Sequence, residues 1–181
     1  MNKIPSLNLQ DFVSGNSAKQ QQFIVDLGRA FEEIGFVAIS GHYLNEALID
    51  ELYTQIKAFF DLPEDIKKKY EIKGLGGQRG YTSFGKEHAK GKKEADLKEF
   101  WHFGQYAEVP EILKPHYPPN VMVEELPAFN EVGENVLKAL EKTAMALLRA
   151  ISLHLGLDQH YFDGFVASGN SILRPIHYPP I

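Results

Sequence analysis

Seven histidines and no cysteine limit the chemistry that this sequence can support. Because no thiolate is available, a metal ion would have to be held by histidine, aspartate and glutamate. The histidines are His42, His88, His102, His116, His154, His160 and His177. None is followed two residues later by an acidic residue, and no two are four residues apart. No serine or carboxylate dyad is recognisable either, so we predict neither a metal ligand nor a catalytic residue within residues 1–181.

The glycine-rich stretch GLGGQRG, residues 74–80, is the second place where spacing could indicate chemistry. A dinucleotide-binding loop needs glycine at the sixth position of G-x-G-x-x-G, and Arg79 stands there. A phosphate-binding P-loop needs Gly-Lys followed by serine or threonine, which the sequence lacks. The pattern therefore argues against nucleotide binding, and the glycines favour a flexible flap.

The overlapping stretch RGYTSFG, residues 79–85, suggests a binding role. Arg79 and Tyr81 on a mobile loop could bind a substrate carboxylate, the arginine through a pair of hydrogen bonds. The alternative, which the stretch by itself favours, is a solvated arginine beside a tyrosine that packs the loop down. The following segment, residues 86–99, has mixed charge and is predicted to be solvated surface.

Composition excludes several classes of protein. The chain has 181 residues, of which 44% are hydrophobic and 24% charged, as in a soluble globular protein with about one domain. A formal net charge of −5 argues against a nucleic-acid partner. No apolar run is long enough for a membrane span, and the N-terminus lacks the apolar stretch of a signal peptide. We therefore expect a cytoplasmic protein with no membrane partner.

The hydrophobic spacing predicts the elements that would position these residues. Strands are predicted at residues 4–9, 36–41, 97–104 and 171–178. Helices are predicted from a cap at Asn16 or Ser17 to a stop at Gly35, after a cap at Asn45, at 62–70, and from Pro127 to about Leu155. Residues 72–93 show no period and are predicted to be a long flexible loop. The order of elements indicates an α+β fold rather than a doubly wound sheet.

Six segments, in this order, resemble one family. They are IPSLNLQDF, LGRAFEEIGFVAISGHYLNEALIDEL, AFFDLPEDIKKKY, RGYTSFG, DLKEFWHFG and ILRPIHYPP. Together they look like the N-terminal part of the isopenicillin N synthase-like dioxygenases, which depend on iron(II) and 2-oxoglutarate. The most specific segment is FEEIGFVAISGHYL, a junction between a helix and a strand that ends in Gly-His.

The resemblance implies a fold and a chemistry for the full-length family member. Two histidines and one aspartate would bind iron(II), and 2-oxoglutarate and dioxygen would take the open positions. In relatives these ligands, and an Arg-x-Ser that holds the co-substrate, lie on a double-stranded β-helix, or jelly-roll, core. We expect residues 1–170 to be the N-terminal region, with three to four helices, and residues 171–181 to be the first strand of that core, truncated there.

A few residues of this sequence match functional positions of the family. Tyr178 corresponds to a tyrosine that in relatives points toward co-substrate or substrate, so we predict a cofactor contact. Ile176 stands where plant-type members often carry asparagine, which weakens any co-substrate contact there. Arg79 and Tyr81 match the loop over the active-site mouth and are predicted to bind substrate. Trp101 and Phe103 would line the pocket wall or pack in the core.

Two functions remain open from the sequence. The first is the N-terminal part of a dioxygenase that acts on a small, carboxylate-bearing substrate and is inactive as a 181-residue fragment. The second is a non-catalytic binding or interaction module derived from that family. In either case the strand at 171–178 is expected to be an apolar edge. It would need the missing C-terminal half or another pairing partner.

Overall fold

The computed structural model describes residues 3–75, 77–88, 95–106, 109–167 and 169–180. Its helices are α1 (Leu9–Val13), α2 (Ser17–Glu33), α3 (Glu46–Phe60), α4 (Glu64–Lys69), α5 (Pro127–His154) and α6 (Asp163–Val166). Its strands are β1 (Ser6–Asn8), β2 (Ala38–Ser40), β3 (Gly80–Thr82), β4 (Glu99–Gly104), β5 (Ile172–Leu173) and β6 (Ile176–His177). A 3-10 helix spans Glu111–His116. The mixture of helix and strand agrees with the predicted α+β class.

The chain forms two compact units. The first comprises Met1–Asn45 and Ala139–Ser168, and the second comprises Glu46–Lys138 and Gly169–Ile181. The predicted division into residues 1–170 and 171–181 follows a different criterion, the border of the family's jelly-roll core, and stays a prediction.

The first unit is built on a short parallel pair of strands. β1 pairs with β2 so that Leu7 lies opposite Ile39. The Asn16 side chain, one of the two caps that the sequence allowed, caps α2 by accepting a hydrogen bond from the Lys19 amide at 3.1 Å. α1 was not predicted, because Leu9 continues the alternation of the preceding strand. The structure starts this helix at Leu9 because the Asn8 side chain accepts from the Gln10 amide.

The second unit has an antiparallel sheet against an aromatic core. The core contains Phe59, Phe60, Tyr70, Tyr81, Trp101, Phe103, Val123, Phe129 and Leu137. Phe59 is at its centre, stacked on Phe129 with ring centroids 4.9 Å apart and edge-on to Trp101 at the same distance. Aromatic pairs in these geometries add to the stabilisation that burial provides.

The sheet of the second unit is organised around β4. β3 pairs with β4 on one side, and β5 and β6 both pair with β4 on the other. β5 and β6 share one register, which places Arg174 and Pro175 opposite His102 and Trp101. The predicted strand at 171–178 is thus interrupted rather than continuous, since proline has no amide hydrogen to donate. The Pro175 carbonyl still accepts from the Trp101 amide at 3.0 Å.

The structure differs from the predicted loop at 72–93, of which residues 76 and 89–93 lie outside the described residues. Residues 80–82 form the buried strand β3. Gly80 has a φ of 76°, and a Cβ atom there would lie 2.5 Å from the Tyr70 carbonyl oxygen. One glycine of the stretch therefore serves a close backbone approach and a left-handed turn.

Candidate functional site

The sheet of the second unit positions most of the side chains that could bind a ligand or take part in a reaction. Successive residues of a strand point to opposite faces, so the register assigns each side chain to a face. The aromatic face carries Tyr81, Glu99, Trp101, Phe103, Leu173 and His177. The opposite face, here named the arginine face, carries Thr82, Phe100, His102, Arg174 and Ile176.

A buried carboxylate organises the polar groups of the aromatic face. Glu99 is 4% exposed and accepts two hydrogen bonds from Lys67 Nζ, at 2.7 and 3.0 Å. The Tyr81 hydroxyl donates to Glu99 Oε2, and His177 Nδ1 lies 2.8 Å from Glu99 Oε1. Lys67 Nζ also donates to the Phe60 carbonyl at 3.2 Å. This network joins α4, β3, β4 and β6.

The pKa values of this network favour a charged carboxylate. Burial by itself would raise the pKa of Glu99, but hydrogen bonds from Lys67, Tyr81 and His177 outweigh it and lower that pKa. Burial, and then the hydrogen bond to Glu99, raise the pKa of Tyr81 far above its ordinary value. Tyr81 therefore acts as a neutral hydrogen-bond donor.

The sequence predicted residues 86–99 as solvated surface, which is wrong for Glu99. The missed signal is the alternation of LKEFWHFG, which places Glu99 on the same face as Trp101 and Phe103. Nothing in the sequence distinguishes Lys67 from its lysine neighbours in KKK, because only tertiary packing selects the lysine that is buried.

The arginine face holds a histidine and an arginine in direct contact. Arg174 Nε donates to His102 Nε2 at 2.5 Å, and His102 Nδ1 bonds the Gly77 carbonyl oxygen. Burial, together with the charges of Arg174 and Arg79 and against the opposing effect of the Gly77 carbonyl, lowers the pKa of His102 to about 4. At neutral pH the ring is uncharged, with Nδ1 as the donor and Nε2 as the acceptor. Sequence reasoning assigned no role to either residue.

Arg79 is enclosed in the second unit. Its side chain is 2% exposed and donates to the Gln78 carbonyl and to Asn170 Oδ1, both at 2.7 Å. Burial lowers the pKa of this guanidinium, and among the described residues it has no carboxylate partner. The alternative of a solvated arginine is therefore wrong. The predicted substrate contact stays a prediction.

The other residues named from the sequence lie in two kinds of surroundings. Tyr81 packs in the core, as the alternative interpretation of its stretch proposed, and its hydroxyl bonds Glu99. Trp101 and Phe103 are fully buried core residues. Tyr178, in contrast, is 67% exposed. The structure thus brings Tyr81 and Glu99 together and leaves Tyr178 accessible at the end of β6.

A cavity of about 600 Å³ opens beside the arginine face. Its lining includes Gly77, Thr82 and Phe100 from the sheet and the preceding loop. Charged residues of both signs complete the wall: Lys68, Glu71, Lys73, Lys86 and Glu87. Small-molecule sites are typically concavities of this size with a few polar groups.

Neither a metal site nor a membrane span is found in the part of the chain that the structure describes. No group of three or more histidine, aspartate or glutamate side chains there could hold a metal ion. No helix in the same ranges is long and apolar enough to cross a membrane. The prediction that residues 1–181 contain no metal ligand stays a prediction.

Comparison with known sequences identifies relatives over almost the whole chain. Residues 4–125 match the family model described as the N-terminal region of the non-haem dioxygenase in morphine synthesis. The 2-oxoglutarate-dependent dioxygenase frbA of Dothideomycetidae sp. (strain 11243) is 29% identical over 97% of the chain and 54% of its own length. The proline hydroxylase buaE of Petromyces alliaceus is 28% identical over 99% of the chain and 56% of its own length.

Solved structures show the same relationship. A 2OG-Fe(II) oxygenase family protein from Caulobacter crescentus superposes with a TM-score of 0.84 and 36% identity, over 100% of this chain and 58% of its own. A full-length Neurospora crassa protein, solved in complex with alpha-KG, superposes with a TM-score of 0.81 and 25% identity. The match covers 99% of this chain and 56% of the Neurospora crassa chain. The chain spans about half the length of the curated relatives it matches. It therefore belongs to the family of non-haem, 2-oxoglutarate-dependent dioxygenases, and its family match covers that family's N-terminal region.

Proposed function

We propose that this chain serves as the N-terminal part of an iron(II)- and 2-oxoglutarate-dependent dioxygenase that oxidises a small, carboxylate-bearing substrate. The observation that carries the proposal is the superposition on the Caulobacter crescentus protein, which includes the whole of this chain and little more than half of that one. The curated relatives, which carry dioxygenase or hydroxylase names, have the same proportion of length.

Residues 1–181 are proposed to lack the iron ligands. The described residues offer no cluster of metal-binding side chains, so the donor set of that part of the chain does not fit iron(II). We therefore assign no step of oxygen chemistry to the chain and propose that polypeptide outside residues 1–181 binds the metal. On this basis the 181-residue chain is inactive on its own.

Arg79 and Tyr81 are the proposed substrate contacts, and Tyr178 is the proposed contact to 2-oxoglutarate. Tyr178 is accessible as it stands. Arg79 and Tyr81 are buried by their own unit, so substrate contact there would require residues 77–88 to open.

We further propose that β5 and β6 together form the first strand of a jelly-roll core. Among the described residues these strands pair only with β4, which leaves their second edge without a strand partner. This segment exposes three large hydrophobic side chains to solvent: Ile172, Ile176 and Tyr178. An apolar edge of this kind favours pairing with another strand. The proposed partner is the C-terminal half of the dioxygenase.

A chimeric protein tests the proposed function. Residues 1–181 would replace the matching 58% of the Caulobacter crescentus chain, and binding of iron(II) and decarboxylation of 2-oxoglutarate would be measured. We expect the chimera to bind one iron per chain and to consume 2-oxoglutarate, and the 181-residue chain alone to do neither. The unmodified Caulobacter protein is the matched control.

Two outcomes would contradict the proposal. Tight one-to-one iron binding by the 181-residue chain would show that its own residues hold the metal. A folded chimera that binds iron but leaves 2-oxoglutarate unchanged, while the control consumes it, would favour the binding module.

A further inference from the structure

We propose that Arg174 is a carboxylate-binding residue, whose guanidinium recognises an anionic small molecule in the cavity beside the arginine face. The inference rests on the proposed function, because it names the part of the site that would receive a carboxylate-bearing ligand. It differs from the Arg79 proposal in that the arginine is already accessible, with 39% of its side chain exposed.

The guanidinium of Arg174 is held in place from two directions. Its central carbon lies 4.5 Å from the centroid of the Phe100 ring, a cation–π contact. Its Nε donates to His102 Nε2, whose ring is fixed in turn by the Gly77 carbonyl. A side chain fixed in this way loses little rotamer freedom when it binds a ligand.

This arrangement leaves the outer end of the guanidinium available. Among the described residues, neither Nη1 nor Nη2 makes a hydrogen bond. The nearest carboxylate oxygen, on Glu87, lies 3.7 Å from Nη1. An arginine offers its two outer nitrogens to a carboxylate as a pair of parallel donors, which is the strongest geometry for this contact.

The charges around Arg174 include an ion-paired cluster. Glu87 and Asp96 share the single cation of Lys98, whose Nζ lies 2.7 Å from Glu87 Oε2 and 2.8 Å from Asp96 Oδ2. His102 is neutral, and Arg79 contributes a further positive charge from the interior. Arg174 is thus a cation whose closest hydrogen-bond partner is uncharged and whose ion pair with Glu87 is long, at 3.7 Å. A ligand carboxylate would compete with Glu87 for its outer nitrogens.

The cavity is lined by residues that contact Arg174, although Arg174 itself is not part of the lining. Gly77, Glu87 and Phe100, each linked to Arg174 directly or through His102, line the 600 Å³ cavity. Lys73 lies on the same wall and makes no ion pair with another described residue. A small carboxylate could therefore contact Arg174 at the cavity rim, with its apolar part against Phe100.

Two ligands of the proposed dioxygenase could supply the carboxylate, the substrate and 2-oxoglutarate. A titration of the ¹⁵N-labelled 181-residue chain distinguishes them, with the Arg174 Nε–H and His102 ring signals as the readout. The probes are benzoate, the neutral isostere benzamide, and 2-oxoglutarate. No iron and no turnover are needed, so failure of this test is separable from failure of the chimera.

We expect benzoate to shift both signals saturably and benzamide to leave them unchanged. Arg174→Gln should weaken benzoate binding about 10- to 100-fold, since a charge-assisted pair of hydrogen bonds is lost. Arg174→Lys should recover only part of the affinity, because an ammonium lacks the planar pair of donors. Arg29→Gln, at an exposed arginine of α2, is the matched control and should leave binding unchanged.

The order of affinities then identifies the ligand. Tighter binding of benzoate assigns Arg174 to the substrate, and tighter, competitive binding of 2-oxoglutarate assigns it to the co-substrate. Equal shifts with benzamide and benzoate, or no shift with any probe, would overturn the proposal. Because the comparison of benzoate with benzamide uses the unmodified chain, it decides the question even if Arg174→Gln does not fold.

Discussion

Each face of the β3–β6 sheet places a histidine beside a charged residue. On the aromatic face His177 meets Glu99, and on the arginine face His102 meets Arg174. The Glu99 carboxylate has a buried lysine as its counter-ion and two further hydrogen-bonding neighbours. The Arg174 guanidinium makes one hydrogen bond, to a neutral ring, and its outer nitrogens have no described hydrogen-bond partner, with the Glu87 carboxylate 3.7 Å from Nη1. A completed network contributes to stability, whereas an incomplete one leaves donors for a ligand.

Removal of the lysine from the aromatic face should have the largest effect on stability. Lys67→Met leaves the Glu99 carboxylate buried without its counter-ion, which should lower the free energy of unfolding by about 3–5 kcal/mol. Lys57→Met, at an exposed pair with Asp61, is the matched control and should change stability by less than about 0.5 kcal/mol. Urea unfolding monitored by circular dichroism measures both. A loss below about 1 kcal/mol in Lys67→Met would mean that the two faces do not differ in this way.

The arginine face should make the free energy of unfolding depend on pH. The pKa of His102 falls from 6.5 to about 4 on folding, so the unfolded chain binds more protons between these values. The contribution of neutral His102 to the free energy of unfolding is therefore fully present above pH 6.5 and is lost as the pH falls toward 4. The loss should be on the order of 2–3 kcal/mol.

His102→Gln tests this dependence, because glutamine can still accept from Arg174 but does not titrate. The difference in unfolding free energy between pH 7 and pH 4.5 should be smaller in the variant than in the wild type. Equal pH profiles would show that His102 is not held neutral by the arginine face. Acid titration of Glu99, whose pKa is lowered, contributes equally to both proteins and cancels in the comparison.

The Tyr81 hydroxyl supplies a single hydrogen bond of the aromatic face that a substitution can remove. Tyr81→Phe removes one donor to Glu99 and keeps the aromatic packing, so stability should fall by about 1–2 kcal/mol. The lowered pKa of Glu99 should rise, and acid unfolding should begin at a higher pH. Tyr53→Phe, at an exposed tyrosine of α3, should leave both properties unchanged. Unfolding at several pH values measures the two effects together.

Local patterns explain which parts of the fold were predictable. The Asn16 cap, the Gly35 stop and the long helix starting at Pro127 follow from chemistry within a few residues. The strand at 97–104 was also predictable, but its burial on both faces was not, because alternation describes a strand with one wet face. Residues 80–82 escaped prediction because three residues among glycines form a strand only when β4 is present to pair with them.

The candidate site was harder to predict than the fold. Arg79 and Tyr81 were selected for their residue types, but their burial depends on contacts with Asn170 and Glu99, far along the chain. Arg174 was overlooked because its neighbours, His102 and Phe100, are about 70 residues away. A sequence gives residue types and local spacing, whereas the two faces arise from register between distant strands.

The smallest predicted effect belongs to a hydroxyl group on the arginine face. Thr82 is buried, and its Oγ1 has no hydrogen-bond partner among the described residues. An unpaired buried hydroxyl gives up its hydration without compensation, so Thr82→Val should be neutral or should stabilise the chain by up to about 1 kcal/mol. Thr143→Val is the matched control, because that hydroxyl donates to the Ala139 carbonyl and accepts from the Tyr43 amide. The control should lose about 1 kcal/mol. If Thr82→Val were as destabilised as Thr143→Val, the Thr82 hydroxyl would make a hydrogen bond in solution. The arginine face would then leave no unpaired hydroxyl at that position, as the aromatic face leaves none at Tyr81.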